Sequence, residues 1–111
     1  MQAIVFGALG EPSRLRIVDL LRAGPLSVGA IGEALGIRQP QVSKHLRVLA
    51  EAGVVAGETH ARHRIYALQS EPFAEIADWV DSFERTWETR LDSLDRYLTT
   101  TNATTKGTPD G

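Results

Sequence analysis

Apolar residues in the first half of the chain recur at the three- and four-residue spacing of amphipathic helices. A glycine, alone or followed by proline, closes each of these segments. The pattern predicts four helices, over residues 3–9, 12–23, 28–35 and 40–52. In the fourth, Val42, Leu46 and Leu49 form the stripe that would face a core. Only a short turn separates the third helix from the fourth, which indicates a helix-turn-helix.

Beyond Gly53 the spacing changes to that of β-strands. Residues 54–58 and 64–68 are short β-prone runs, and residues 59–63 between them are predicted to form a basic hairpin tip. With one further helix near the C-terminal end, the predicted fold is mainly α with a small β-hairpin. We interpret it as a winged helix-turn-helix with about five helices and a two-stranded wing, occupying residues 1–98.

The last predicted helix is long, and it carries a continuous apolar stripe. It begins at Pro72 and is expected to end at Leu98, after about 27 residues or roughly 40 Å. A core built from three short helices cannot cover a stripe of this length, so part of it is expected to contact another subunit. The face opposite the stripe is acidic. Residues 99–111 are polar and are expected to be a disordered tail.

Charge is distributed unevenly along the chain. The net charge is −2 over 111 residues. However, residues 1–70 hold eight Lys and Arg against five Asp and Glu, whereas residues 71–98 hold three against eight. Five of the cations lie within residues 38–64, around the fourth helix and the hairpin. Concentrated positive charge of this kind is typical of a nucleic-acid-binding surface.

Composition excludes several classes of protein. The chain has no cysteine, so disulfides and thiolate metal sites are excluded. No apolar run is long enough to span a bilayer and no signal pattern opens the chain, so we expect a soluble cytoplasmic protein. Neither a glycine-rich phosphate loop nor a nucleophile beside a histidine is evident, so we predict no enzyme activity and no cofactor.

The outward face of the fourth helix carries the most informative chemistry. Small polar side chains lie there beside cations, at Gln41, Ser43, Lys44 and Arg47. Such groups suit a helix that reads a DNA groove, whereas a purely structural surface helix more often carries Glu–Lys pairs. The alternative is a winged-helix module for protein–protein assembly with secondary DNA contact. That module would carry apolar or acidic groups on this face.

Three blocks of sequence resemble the ArsR-type family of bacterial winged-helix repressors over roughly residues 3–98. They are Ala8 to Arg14 with Arg16-Ile17; Gln39-Pro40 with Val42-Ser43-Lys44-His45-Leu46 and Leu49; and Arg62, Arg64, Tyr66 and Leu68. The resemblance implies a homodimer paired through the first and last helices, with each fourth helix in a major groove and the wing near a minor groove or the backbone. It also implies a double-stranded operator that is nearly palindromic.

We therefore predict two sets of site residues. Those expected to contact DNA are Arg38, Gln39, Gln41, Ser43, Lys44, Arg47, Arg62 and Arg64. Those expected at the dimer interface are Ile4, Phe6, Trp79, Phe83, Trp87, Leu91 and Leu94.

The chain departs from the family pattern at several positions. Where many members sense metals through a Cys-Val-Cys run, this chain has Ser27-Val28-Gly29, and its last helix has no histidine. We therefore predict no metal site. Arg38 replaces the usual capping serine, and Ala61 replaces the usual wing glycine.

Some roles stay open from sequence alone. His45 is either packed at the edge of the apolar stripe, next to a phosphate, or a sensor. His60 and His63 either add charge to the wing at low pH or have no role. The signal is equally open: a small-molecule effector, protein-level control, or none.

Overall fold

The structure is a computed structural model that describes residues 3–105, with side chains described for residues 3–99. Its elements are α1 (Ala3–Leu9), α2 (Pro12–Leu21), β1 (Leu26–Ser27), α3 (Val28–Leu35), α4 (Gln39–Glu51), β2 (Val55–His60), β3 (His63–Leu68) and α5 (Ser70–Thr105). Contacts between residues group the chain into two compact units, with the boundary after Ile76. The predicted class is confirmed, since the described chain contains five helices and a β-hairpin.

The first unit contains the hydrophobic core. The stripe predicted on α4 is confirmed, because Val42, Leu46 and Leu49 are each fully buried. They pack with residues from α1, α2, α3 and the start of the wing. The other buried apolar residues are Val5, Ala8, Ile17, Val18, Leu21, Ile31, Val54 and Val55. Burial of α4 on one side only leaves its other faces exposed.

The helix ends follow the predicted signals with small differences. The Ser27 hydroxyl accepts a hydrogen bond from the Ala30 N–H (3.1 Å) and caps α3. α2 ends at Leu21, before the predicted residue 23. α4 starts at Gln39, one residue before Pro40, and Arg38 is its N-cap without a side-chain capping bond. Proline is tolerated there because first-turn N–H groups have no partner within the helix.

The sheet has three strands rather than the predicted two. β1 pairs antiparallel with β3 through Leu26↔Tyr66 and Ser27↔Ile65, giving the order β1-β3-β2. A strand of only two residues has no alternation for a sequence pattern to detect. β1 has a consequence for the site, because it brings the start of α3 beside the wing.

The wing is longer than predicted and its turn is shorter. β2 and β3 pair from Val55↔Leu68 to His60↔His63, so the turn consists of Ala61 and Arg62 alone. The predicted five-residue tip was therefore wrong, since three of its residues belong to the ladder. Ala61 has φ +58°, in the left-handed region that usually takes glycine.

α5 extends beyond both predicted ends. It runs from Ser70 to Thr105, whereas residues 72–98 were predicted. Threonine and asparagine carry only modest helix penalties, and the first residue after Pro72 that strongly opposes a helix is Gly107. Residues 99–105 of the predicted tail therefore lie within the helix, and residues 106–111 lie outside the described part of the chain. Among the described helices, none contains an uninterrupted apolar stretch that could span a bilayer.

Candidate nucleic-acid interface

The turn between α3 and α4 is tight because two glycines permit it. Gly36 ends α3 with φ +68°, a left-handed conformation. The Ile37 N–H donates to the Gly32 carbonyl at 3.0 Å, which brings the turn back onto α3. A Cβ on Gly32 would lie 2.8 Å from the Ile37 carbonyl oxygen, closer than real Cβ atoms approach. Close packing therefore explains Gly32, and it fixes the position of α4 relative to α3.

The exposed part of α4 divides into three faces. With the apolar stripe buried, the rotation of 3.6 residues per turn places Lys44 and Arg47 on the side directly opposite the core. Gln39 and Ser43 share one flank of the helix, and Gln41 lies on the other. All five side chains are exposed. The helix therefore presents polar groups in different directions, which allows the side chains to have different roles.

A groove lies where α3, α4 and the wing meet, with a volume of about 390 Å³. The structure brings four of the predicted DNA-contact residues together there: Gln39, Ser43, Arg62 and Arg64. The other predicted residues, Arg38, Gln41, Lys44 and Arg47, are exposed but do not line it. The remaining lining residues are Ser27, Val28, Gly29, Pro40 and His63.

Sequence reasoning missed the contribution of α3 to this groove. The residues concerned, Ser27 to Gly29, are placed beside the wing by the β1–β3 pairing, which the sequence pattern does not reveal. Gly29 also has a local role, since a Cβ there would lie 3.3 Å from the Gln39 side-chain nitrogen. The Gln39 amide therefore lies close against the first turn of α3.

The two wing arginines have different surroundings. Arg62 is exposed in the turn. The Arg64 guanidinium lies over the Tyr66 ring, 5.6 Å from its centroid, and its Nη1 donates to the Thr59 hydroxyl at 3.3 Å. Gly57 faces Tyr66 across the ladder, and a Cβ there would lie 2.8 Å from the ring. We call Gly57, Thr59, Arg64 and Tyr66 the wing stack.

Two arginines of the first unit stabilise the fold instead. The Arg14 Nε donates to the Ala8 carbonyl at 2.6 Å, at the end of α1. An Nη of Arg16 donates to the Leu35 carbonyl at 3.1 Å, at the end of α3. Cations at helix C-termini satisfy carbonyls that have no partner within the helix. Arg14 and Arg16 therefore contribute to the stability of the fold. We treat them separately from the cations around α4 and the wing.

His45 packs against the start of α2. Its Nδ1 lies 3.7 Å from Oε2 of Glu11, and the same oxygen accepts a hydrogen bond from the Arg14 N–H at 3.0 Å. The His45 side chain is 22% exposed. This position agrees with the packed alternative. His60 and His63 are exposed residues of the wing strands.

The predicted dimer residues expose apolar surface in both units. In the first unit, Ile4 and Phe6 of α1 are exposed. In the second unit, the α5 stripe includes Trp87 and Leu91, which are 56% and 60% exposed. The other predicted members, Trp79, Phe83 and Leu94, are also exposed. Isolated apolar residues are common on protein surfaces, but a continuous stripe over several helical turns indicates an interaction site.

The residues at the family's metal-sensing positions are used otherwise in this chain. Ser27 caps α3, and Val28 and Gly29 follow in its first turn. Across the described residues, no group of three or more His, Asp or Glu side chains is placed to hold a metal ion.

Comparisons with known proteins agree with this geometry. A helix-turn-helix domain family matches residues 9–58. The transcriptional regulator NmtR of Mycobacterium tuberculosis is 44% identical over 71 residues, which is 64% of this chain and 59% of NmtR. The transcriptional repressor SdpR of Bacillus subtilis is 32% identical over 71% of this chain and 88% of its own length. This chain thus spans less than two thirds of NmtR and most of SdpR.

A solved structure is similar over three quarters of this chain. It is the homodimeric winged helix-turn-helix DNA-binding domain of Mb0332 from Mycobacterium bovis, described as a possible ArsR-family transcriptional regulator. The TM-score is 0.63 at 30% identity, over 75% of this chain and 77% of that domain. From the fold, the α4 sequence block and these relatives together, the chain belongs to the ArsR-type family of winged helix-turn-helix transcriptional regulators.

Proposed function

We propose that this protein is a homodimeric transcriptional repressor that reads a near-palindromic operator through α4 and the wing. The observation that carries the proposal is the one-sided burial of α4, which leaves cations and amides exposed beside a groove lined by wing arginines. A helix held in this way can enter a major groove, while the wing contacts the neighbouring backbone.

Homodimer formation is supported by the exposed apolar stripe of α5 and by the homodimeric state of the similar Mycobacterium bovis domain. Burial of this stripe against a second copy would remove several large aromatic and aliphatic side chains from water. A two-fold dimer would present two α4 helices to half-sites about one helical turn apart, roughly 34–36 Å. The operator would therefore be nearly palindromic.

The proposed binding to an operator has consequences for activity, location and signal. We infer a regulator rather than an enzyme, located in the cytoplasm with the DNA it binds. We also infer that metal is not its signal, because serine and glycine stand where thiolates would be required. The alternative, an assembly module, would leave Gln41 and Lys44 without a purpose on the exposed side of α4.

The test separates base reading from attraction to the backbone. We would select a duplex from a random-sequence pool with the protein, then measure fluorescence anisotropy on it and on an unselected duplex over a salt series. Gln41→Ala should cost about 1–3 kcal/mol on the selected duplex and far less on the other, because its amide pairs with one base. Arg62→Ala should weaken both equally and lower the salt slope by about one unit.

Two results would contradict this assignment. If Gln41→Ala weakens both duplexes equally while Arg62→Ala changes sequence preference, the two roles are reversed. If neither variant changes binding, α4 is not in the groove and the assembly alternative replaces the proposal.

A further inference from the structure

We propose that the groove between α3, α4 and the wing holds one backbone phosphate of bound DNA, contacted by Arg64, Ser43 and Gln39. This inference rests on the proposed DNA binding and goes further, since it assigns these three residues to a single phosphate. It separates them from Gln41 and Lys44, which face other directions on α4. It also gives Gly57 a role in placing Arg64.

The groove has the chemistry of an anion site. Ser43 contributes a hydroxyl, Gln39 an amide and Arg64 a guanidinium, and all three can donate hydrogen bonds to phosphate oxygens. Its described lining includes no carboxylate. Gln39 and Ser43 lie on the flank of α4 that faces the wing, so contacts with a phosphate here leave the opposite flank free to approach bases.

Arg64 is held in place before DNA arrives. Its guanidinium has five N–H donors, and the bond to Thr59 uses one of them, so the others remain for a ligand. Contact with the Tyr66 ring restricts the side chain further. A cation already ordered loses less conformational entropy on binding than a mobile one. Arg62, exposed in the turn, lacks these two restraints.

Gly57 is a positioning residue for this arginine. A Cβ there would lie 2.8 Å from the Tyr66 ring and 3.1 Å from the Arg64 Nε. Alanine is otherwise acceptable in a strand, so its main effect here would be to displace the ring and the guanidinium together. A substitution that leaves every charge in place therefore tests whether the position of Arg64 matters.

The first experiment neutralises phosphates one at a time. Each duplex selected by the protein would carry one methylphosphonate in each half-site, at symmetry-related backbone positions. The substituted position would differ from one duplex to the next. For the wild type, one internal position should lower affinity by about tenfold, because a charge-assisted contact is lost there. Arg64→Gln should lower affinity on the unmodified duplex by a similar factor and lose its sensitivity at that position. Lys44→Gln, the matched control, removes an exposed cation that does not line the groove and should keep the sensitivity.

The second experiment uses the double variant. Gly57→Ala should weaken binding to the unmodified duplex several-fold, and Arg64→Gln/Gly57→Ala should be no weaker than Arg64→Gln alone. Additive losses would overturn the positioning role. If Arg64→Gln keeps the wild-type sensitivity at every phosphate, the phosphate assignment is wrong although DNA binding stands. Failure to select any duplex would instead refute the proposed function itself.

Discussion

Alanine should destabilise the protein at one glycine of α3 but not at another glycine of the same helix. Gly29 and Gly32 lie three residues apart on one helix, and alanine is the better helix former at both. Their surroundings differ. A Cβ on Gly32 meets the backbone oxygen of Ile37 at 2.8 Å, whereas a Cβ on Gly29 meets the end of the flexible Gln39 side chain at 3.3 Å.

The magnitudes follow from these contacts. At Gly32, alanine gains about 1 kcal/mol of helix propensity but must push a backbone carbonyl out to ordinary contact distance, and overpacking of this kind costs about 1–3 kcal/mol. The expected result is a net loss of up to about 2 kcal/mol. At Gly29, in the first turn, the gain is smaller, about 0.5 kcal/mol, and Gln39 can rotate away. Gly29→Ala should therefore be neutral or slightly stabilising.

Urea unfolding followed by circular dichroism measures both variants against the wild type. Protein concentration must be held fixed, since the stability of a dimer depends on it. Gly32→Ala should lower the unfolding midpoint and Gly29→Ala should not. If Gly32→Ala raises the midpoint as much as Gly29→Ala does, the close approach of the turn does not constrain α3 and the reasoning fails.

Two other variants test the cap of α4 and the stripe of α5. Arg38→Ser should stabilise the fold by about 1 kcal/mol by supplying the missing N-cap bond, raising Tm by several degrees, while weakening binding to any duplex; an unchanged Tm would refute the capping argument. Trp87→Glu should shift the protein toward monomer or unfold it, because it buries a carboxylate at the interface, whereas Thr89→Glu on the opposite face should not. A Trp87→Glu dimer of unchanged affinity in light scattering would show that the stripe does not join subunits.

The sequence predicted the fold best where a regular spacing of apolar residues runs along the buried face of an element. The stripe of Val42, Leu46 and Leu49 predicted α4 and its burial, because an amphipathic helix held by one face shows the period clearly. The cap at Ser27 was equally predictable, since a serine hydroxyl before an apolar segment has a defined partner in the first turn.

The features that sequence reasoning missed depend on contacts between distant residues. β1 is too short to have a pattern, yet its pairing with β3 places Ser27 beside the wing and forms one side of the groove. The wing stack is set by strand register, which joins Gly57 to Tyr66 across nine positions of sequence. The predicted end of α5 at Leu98 was wrong because no glycine or proline follows it closely, and the helix continues to Thr105.

Selection of duplexes from a random-sequence pool, followed by sequencing, tests the central claim most directly. We predict enrichment of a near-palindrome with two half-sites about one helical turn apart, roughly 10 base pairs. With Gln41→Ala, preference should relax at one base pair in each half-site. No enriched sequence, or an enriched sequence that Gln41→Ala selects unchanged, would contradict the claim that α4 reads DNA.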